Sequence, residues 1–238
     1  MTKRNLLTSS KNQEFNHKII CGIDEAGRGP VLGPMVICGV CFLEAELKLL
    51  EDIGVKDSKK LTSKKRSELA KIIKSECENY KTIIVSAQEI DAREKKRITL
   101  NKLEELKMAE IIEELRPNII YIDAADVKEA RFGKSIQNLL KYSPFKIISK
   151  HKADDLYPIV SASSIIAKDM RDSIIEELKK KYGDFGSGYP SDVRTIEFLR
   201  KWIIEKKNSP PFARKSWETT KKIIREEIGT KKITDFTN

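Results

Sequence analysis

Asp24 and Glu25 stand at the end of an apolar run over residues 18–24 (KIICGID), Asp123 ends a second run (NIIYID), and Asp154 with Asp155 opens the approach to a long helical stretch. A single carboxylate at such a place is commonly a helix cap or a turn former. Three separate segments that each end in acid ask for a shared cause. Carboxylates brought together repel one another unless a cation neutralises them, and an all-oxygen ligand set suits Mg²⁺ or Mn²⁺. The chain has two histidines, too few for a zinc site. Two such ions, about 3.5–4 Å apart, activate a water and stabilise the leaving oxygen of a phosphodiester. The chemistry expected is therefore metal-assisted phosphodiester hydrolysis. Adjacent strand residues face opposite ways, so Glu25, expected at the strand's last position, must twist inward through the next turn to work beside Asp24.

The segment that follows, AGRGPVLG, can provide that twist. Gly27 and Gly29 lack Cβ atoms, so their backbone amides and carbonyls can approach a ligand that any side chain would hold away, and Arg28 adds a cation. The segment lacks the Gly-Lys-Ser/Thr ending of nucleotide-binding loops. The other reading is a tight strand-to-strand turn. With an acid pair immediately before it, a ligand-contacting loop is favoured, and a ribose 2′-hydroxyl is a fitting target for backbone groups.

The elements needed to position these residues follow from periodicity. Strands are expected over residues 18–24, 35–43, 82–85, 118–123 and 145–149, and helices near 63–80, 99–115, 128–140 and 158–181. Thr62 or Ser63 can cap the first helix, and Pro117 stops the second. Strands alternating with helices imply an α/β sheet covered by helices, with side chains from separate segments converging beyond strand ends. After the glycine-rich GDFGSGYPSD, helices near 192–206 and 216–227 form an appended helical lobe. The chain thus divides into a polar leader (1–16), a catalytic α/β part (17–182), the helical lobe (183–229) and a tail (230–238).

Composition narrows the partners. The 238 residues carry 46 Lys plus Arg against 36 Asp plus Glu, a formal charge of +10, which favours a polyanion over a surface that is merely solvated. Cys38 and Cys41 form a C-x-x-C pair with nothing to complete a metal set; lying in an apolar run, they are expected to be buried thiols, with no disulfides in a reducing cytoplasm. No run approaches the roughly 18 apolar residues of a membrane span, and the polar start lacks a secretory core, so a soluble, cytoplasmic protein is expected; a monomer is expected separately, on no residue of its own.

The stretch GIDEAGRGPVLGP from Gly22 closely resembles the signature of type 2 ribonucleases H, also called ribonuclease HII. DSKKLT from Asp57, YIDAAD around Asp123 and HKADDLYPIVSASSIIAKDMRD from His151 are similar to later motifs of that family, in order. GSGYPSD from Gly186 and RKSWET from Arg214 resemble its archaeal and eukaryotic branch. Val193 stands where that branch often shows proline, a departure expected to alter only the local turn. The resemblance implies a ribonuclease H-like mixed sheet flanked by helices. It implies that Asp24, Glu25, Asp123 and Asp154 are the metal-binding catalytic acids, with Asp155 a bystander. It also implies that Gly27, Arg28 and Gly29 contact the ribonucleotide and that Tyr189 packs where RNA meets DNA. The activity implied is cleavage of the RNA strand of RNA–DNA hybrids, and of duplex DNA on the 5′ side of embedded ribonucleotides, leaving a 3′-hydroxyl and a 5′-phosphate.

Lys59, Lys60, Ser163, Ser164, Lys168 and Arg171 fall in the matched motifs as candidate phosphate contacts. Against that, the serines can bond helix backbone, and Lys168 with Arg171 can simply solvate a helix face. The tail TKKITDFTN resembles a degenerate sliding-clamp box, with Ile233 and Phe236 at its apolar positions, Thr230 in place of glutamine and Thr237 in place of the second aromatic; a frayed basic tail is the alternative. Two other functions compete. A non-catalytic nucleic-acid binder gains nothing from four converging acids, and a different two-metal nuclease on the same fold would lack the GRG loop with Tyr189.

Overall fold

The computed structural model describes residues 18–55 and 61–229. Five strands make one sheet: β1 (Ile19–Ala26), β2 (Met35–Leu43), β3 (Asn79–Val85), β4 (Ile119–Asp123) and β5 (Lys146–Lys150), in the order β3-β2-β1-β4-β5. β1 and β4 run parallel, as do β4 and β5. The end of β2 returns to the start of β1, where Glu44 N–H donates to the Lys18 carbonyl at 2.9 Å, so the sheet is mixed. This is the α/β architecture expected.

The helices are α1 (Leu47–Asp52), α2 (Ser63–Glu76), α3 (Ala87–Lys95), α4 (Leu100–Leu115), α5 (Glu129–Gln137), α6 (Ala153–Leu156), α7 (Pro158–Tyr182), α8 (Val193–Lys206) and α9 (Glu218–Ile224). A π turn over Arg225–Gly229 follows the last of these. Thr62 caps α2, its hydroxyl accepting from Lys65 N–H. That helix stops at Glu76, four residues short of the expectation, because Glu78 N–H donates to the Cys41 carbonyl and begins β3 pairing early. α1, α3 and α6 escaped the periodicity reading. α3 did leave a signal: Ser86-Ala-Gln-Glu89 is a capping box, and the Ser86 hydroxyl accepts from Glu89 N–H at 3.1 Å.

The chain forms two compact units, each drawn from discontinuous stretches. The described part of the first comprises residues 18–26, 37–55, 61–83 and 104–169. Every residue from Met35 to Phe42 is buried, as is usual for a strand covered on both faces. Gly22 of β1 allows the closest packing there: a Cβ on it would lie 2.2 Å from the Ile159 carbonyl oxygen of α7. Cys21, Cys38 and Cys41 are buried free thiols.

The described part of the second unit comprises residues 27–36, 84–103 and 170–229. Its core is Val31, Leu32, Ile175, Phe185, Leu199, Ile203, Phe212, Ala213 and Ile223. Phe185 and Phe212 meet at 5.1 Å between ring centroids. The division expected at residues 182/183 falls within this unit, which joins a loop near the N-terminus to the C-terminal helices. Among the described residues no helix is long and apolar enough to cross a membrane.

Candidate active site

The first unit gathers the acids. β1 and β4 are in register through Ile23 and Ile122, so one step further along Asp24 of β1 and Asp123 of β4 stand level at the same end of the sheet. Asp123 accepts from Ala153 N–H at 2.7 Å, which ties the end of β4 to the first turn of α6, the helix that carries Asp154. Lys152 just before this turn is left-handed (φ 53°), a conformation that costs a non-glycine residue about 1 kcal/mol or more. Asp24 and Asp154 are buried, Glu25 and Asp123 partly so, and Asp155 is exposed.

β1 continues through Ala26, so Glu25 lies inside the strand rather than at its last position. It still acts on its neighbour. Burial raises the Asp24 carboxyl well above the usual carboxylate range, and the charges of Glu25 and Asp123 raise it further; the Ser164 hydroxyl and the Glu25 N–H, 2.7 Å from Asp24 Oδ1, pull the other way. Burial is thus the main cause, and neighbouring negative charge adds to it. Among the described residues no group of three or more Asp, Glu, His or Cys side chains stands close enough together to hold a metal ion. The donor chemistry nonetheless fits a hard divalent cation: oxygen ligands only, and a repulsion such an ion would relieve.

The second unit gathers the glycine loop. Gly27 (φ 85°) sits where a Cβ would lie 2.3 Å from Arg171 Nε and 2.7 Å from the Pro34 carbonyl oxygen, so glycine is required. Gly29 is exposed, with the Tyr189 ring 3.6 Å from where its Cβ would be. The Arg171 guanidinium lies 5.6 Å from the Tyr189 ring centroid. Arg28 donates to the Asn101 side-chain oxygen at 2.6 Å, which fixes its direction.

Arg214 is fully buried and donates to the carbonyls of Gly27 (2.5 Å), Arg28 (2.7 Å) and Gly33 (3.1 Å). Burial, together with the charge of Arg171, lowers its guanidinium pKa to about 9, so it stays charged at neutral pH. Trp217 Nε1–H reaches the Gly29 carbonyl at 3.3 Å. Neither Arg214 nor Trp217 was singled out from sequence, although both lie in the RKSWET motif.

Of the second-tier candidates, Lys59 and Lys60 lie outside the described residues, as does the tail from Thr230 onward. Ser163 is buried and donates to the Val160 carbonyl at 2.8 Å, the backbone role weighed against phosphate binding. Ser164 is buried beside Asp24. Lys168 is partly exposed. Arg171 is 7% exposed, which rules out the solvated helix face considered for it.

Comparison with solved structures first establishes the class. Ribonuclease H2 of Pyrococcus horikoshii OT3 superposes with a TM-score of 0.84 at 44% identity, covering 88% of this chain and 99% of that one. Ribonuclease HII of Archaeoglobus fulgidus, solved in complex with PCNA, superposes with a TM-score of 0.78 at 41% identity over 86% and 96% of the two chains. The fold is therefore that of the type 2 ribonucleases H. The profile of the ribonuclease HII family matches residues 21–220, and ribonuclease HII of Pyrococcus furiosus is 49% identical over 215 residues, 90% of this chain and 94% of that protein. The chain belongs to the ribonuclease HII family and is a hydrolytic endoribonuclease.

Proposed function

We propose that this enzyme hydrolyses the RNA strand of RNA–DNA hybrids and cuts duplex DNA on the 5′ side of embedded ribonucleotides, leaving a 3′-hydroxyl and a 5′-phosphate. The observation that carries the reading is the convergence of Asp24, Glu25 and Asp123 at one end of β1 and β4, where burial first and the neighbouring charges second raise the Asp24 carboxyl. Asp24, Glu25, Asp123 and Asp154 would hold Mg²⁺ or Mn²⁺. When bound, two such ions supply an activated water and charge stabilisation at the leaving oxygen. The chain's own groups do the positioning: the Asp123–Ala153 bond ties the short helix that carries Asp154 to the end of β4, and the Glu25 N–H holds the Asp24 carboxyl. Gly27, Arg28 and Gly29 present backbone groups to the ribose 2′-hydroxyl, and Tyr189 offers a ring face to the sugar or base at the RNA–DNA junction. Arg171 and Lys168 favour the phosphate backbone through charge, in keeping with the net +10.

The deciding experiment is strand cleavage of a DNA duplex carrying one ribonucleotide, with Mg²⁺ or Mn²⁺, beside the all-DNA duplex and the Asp24→Asn variant. Cutting 5′ to the ribonucleotide alone, lost in the variant, is the expected result. Cutting of both duplexes would point to a general nuclease, and tight binding without cutting to a binder.

We also propose that the tail, through Ile233 and Phe236, docks on a sliding clamp, a reading supported by the clamp complex of the Archaeoglobus fulgidus relative. A tail peptide that binds the source organism's clamp no better than a scrambled peptide would remove it.

A further inference from the structure

Five carbonyls of the loop from Gly27 to Gly33 point at one short segment of the C-terminal region. Arg214 takes those of Gly27, Arg28 and Gly33 through its guanidinium and that of Val31 through its backbone N–H, at 2.9 Å; Trp217 takes that of Gly29. In a trans peptide the N–H of the next residue points opposite the carbonyl. Holding the Gly27 and Arg28 carbonyls toward Arg214 therefore turns the N–H groups of Arg28 and Gly29 away from it. Those are backbone groups that, on the function proposed above, meet the ribose.

Arg214 is itself held from α3. Asp91 accepts from the Lys215 N–H (2.8 Å), the Ser216 N–H (2.9 Å) and the Ser216 hydroxyl (2.6 Å). Arg93, two residues further along the same helix, donates to the Ser216 hydroxyl at 2.6 Å and lies 5.0 Å from the Trp217 ring centroid, while the Arg214 guanidinium lies 4.8 Å from that centroid. All these groups belong to the second unit. A buried guanidinium whose donors go to backbone carbonyls, rather than to a carboxylate in direct contact, is committed to the shape of that backbone.

We propose that Arg214 is a positioning residue for ribonucleotide recognition, fixing the peptide orientations of the GRG loop, and that Asp91 on α3 is the anchor that holds Arg214 in place. The inference rests on the GRG loop being the element that contacts the ribonucleotide. It gives α3, which carries no candidate catalytic group, a part in substrate choice.

The test uses full-length enzyme, a duplex with one ribonucleotide as substrate and the all-DNA duplex as competitive inhibitor, with thermal melts on every variant. Arg214→Gln keeps a polar side chain but is shorter and loses the fork. It should raise KM for the ribonucleotide duplex about tenfold, while the inhibition constant of the all-DNA duplex, set by phosphate contacts, stays within about twofold. Arg214→Lys, with a single donor point, should fall between Arg214→Gln and wild type, and Asp91→Asn should raise KM about threefold in the same selective way. Loss of folded protein alone would lower kcat and leave KM untouched. Folded variants with wild-type KM, or with KM and the inhibition constant rising together, would overturn the proposal. Should Arg214→Gln fail to fold, Asp91→Asn decides by the same two constants. A wild-type enzyme without preference for the ribonucleotide duplex would overturn the proposed function, and this inference with it; wild-type preference retained in the variants would overturn this inference alone.

Discussion

Asp123 at the end of β4 accepts a 2.7 Å hydrogen bond from the backbone N–H of Ala153, thirty residues further along. One carboxylate oxygen thereby joins a strand end to the short helix that carries Asp154. The bond couples two stretches that each carry a candidate acid. Asp123→Ala should therefore do two things: abolish cleavage and loosen residues 150–156, read as faster amide hydrogen exchange at Ala153. Asp123→Asn, which keeps an accepting oxygen, should abolish cleavage with little change in that exchange. Equal exchange in both variants would contradict the linking role.

Asp24 predicts an exchange of stability for activity. Its folded-state pKa is raised, so between the unfolded Asp value near 3.9 and the raised folded value the native state binds more protons than the unfolded chain, and stability falls as pH rises. Above the folded pKa the full penalty is present. Asp24→Asn removes it. The variant should be inactive yet melt higher than wild type at pH 7 without metal, with the difference vanishing near pH 3. Each 1 kcal/mol relieved corresponds to about 2–4 °C in a chain of this size. A lower melting temperature for the variant at pH 7 would contradict the account.

The same repulsion makes the metal a stabiliser. Mg²⁺ or Mn²⁺ at about a hundred times its dissociation constant should add about 2.7 kcal/mol to wild type, as any ligand specific to the native state would. Melting curves with and without EDTA check this. Asp24→Asn should respond much less, and an equal response in both would place the ion elsewhere.

Two glycines of the loop should fail differently. Alanine at Gly27 forces a Cβ into Arg171 and the Pro34 carbonyl at positive φ, so Gly27→Ala should cost about 1–3 kcal/mol of stability, seen in denaturant melts. Alanine at Gly29 meets the Tyr189 ring at an ordinary 3.6 Å, so Gly29→Ala should fold as wild type. Its defect should appear in kcat/KM on a single-ribonucleotide duplex, about tenfold or more. A stable Gly27→Ala enzyme would contradict the packing argument.

Tyr189 tests the ring-face role. It is 40% exposed and backed by Arg171, so it is stiffened yet open on one side. Tyr189→Phe should keep most activity, while Tyr189→Ala should lose about tenfold in kcat/KM, the scale of one lost base–aromatic stack. Indistinguishable Phe and Ala variants would point to a role for the hydroxyl instead.

Much of the fold was legible along the chain because burial follows local period. β2 spans Met35–Leu43 as its apolar run dictates, and α7 runs from Pro158 to Tyr182 as its pattern does. The order of the acids, near the ends of apolar runs or at a helix start, likewise pointed to hard-cation chemistry before any contact was known. What periodicity could not register was where a strand stops when its neighbour continues: β1 runs on to Ala26, and α2 yields to β3 at Cys77.

By itself, then, the sequence determined the element types, the run of acids and the glycine loop, since these depend on residues close together in the chain. Tertiary structure alone decided that Ser164 lies against Asp24, that Arg171 is buried behind Tyr189, and that Arg214 holds a loop 187 residues before it. An arginine is read as a surface residue unless something removes its water. Only the packing of distant segments does that, and only then does its charge become a device for setting the shape of a backbone.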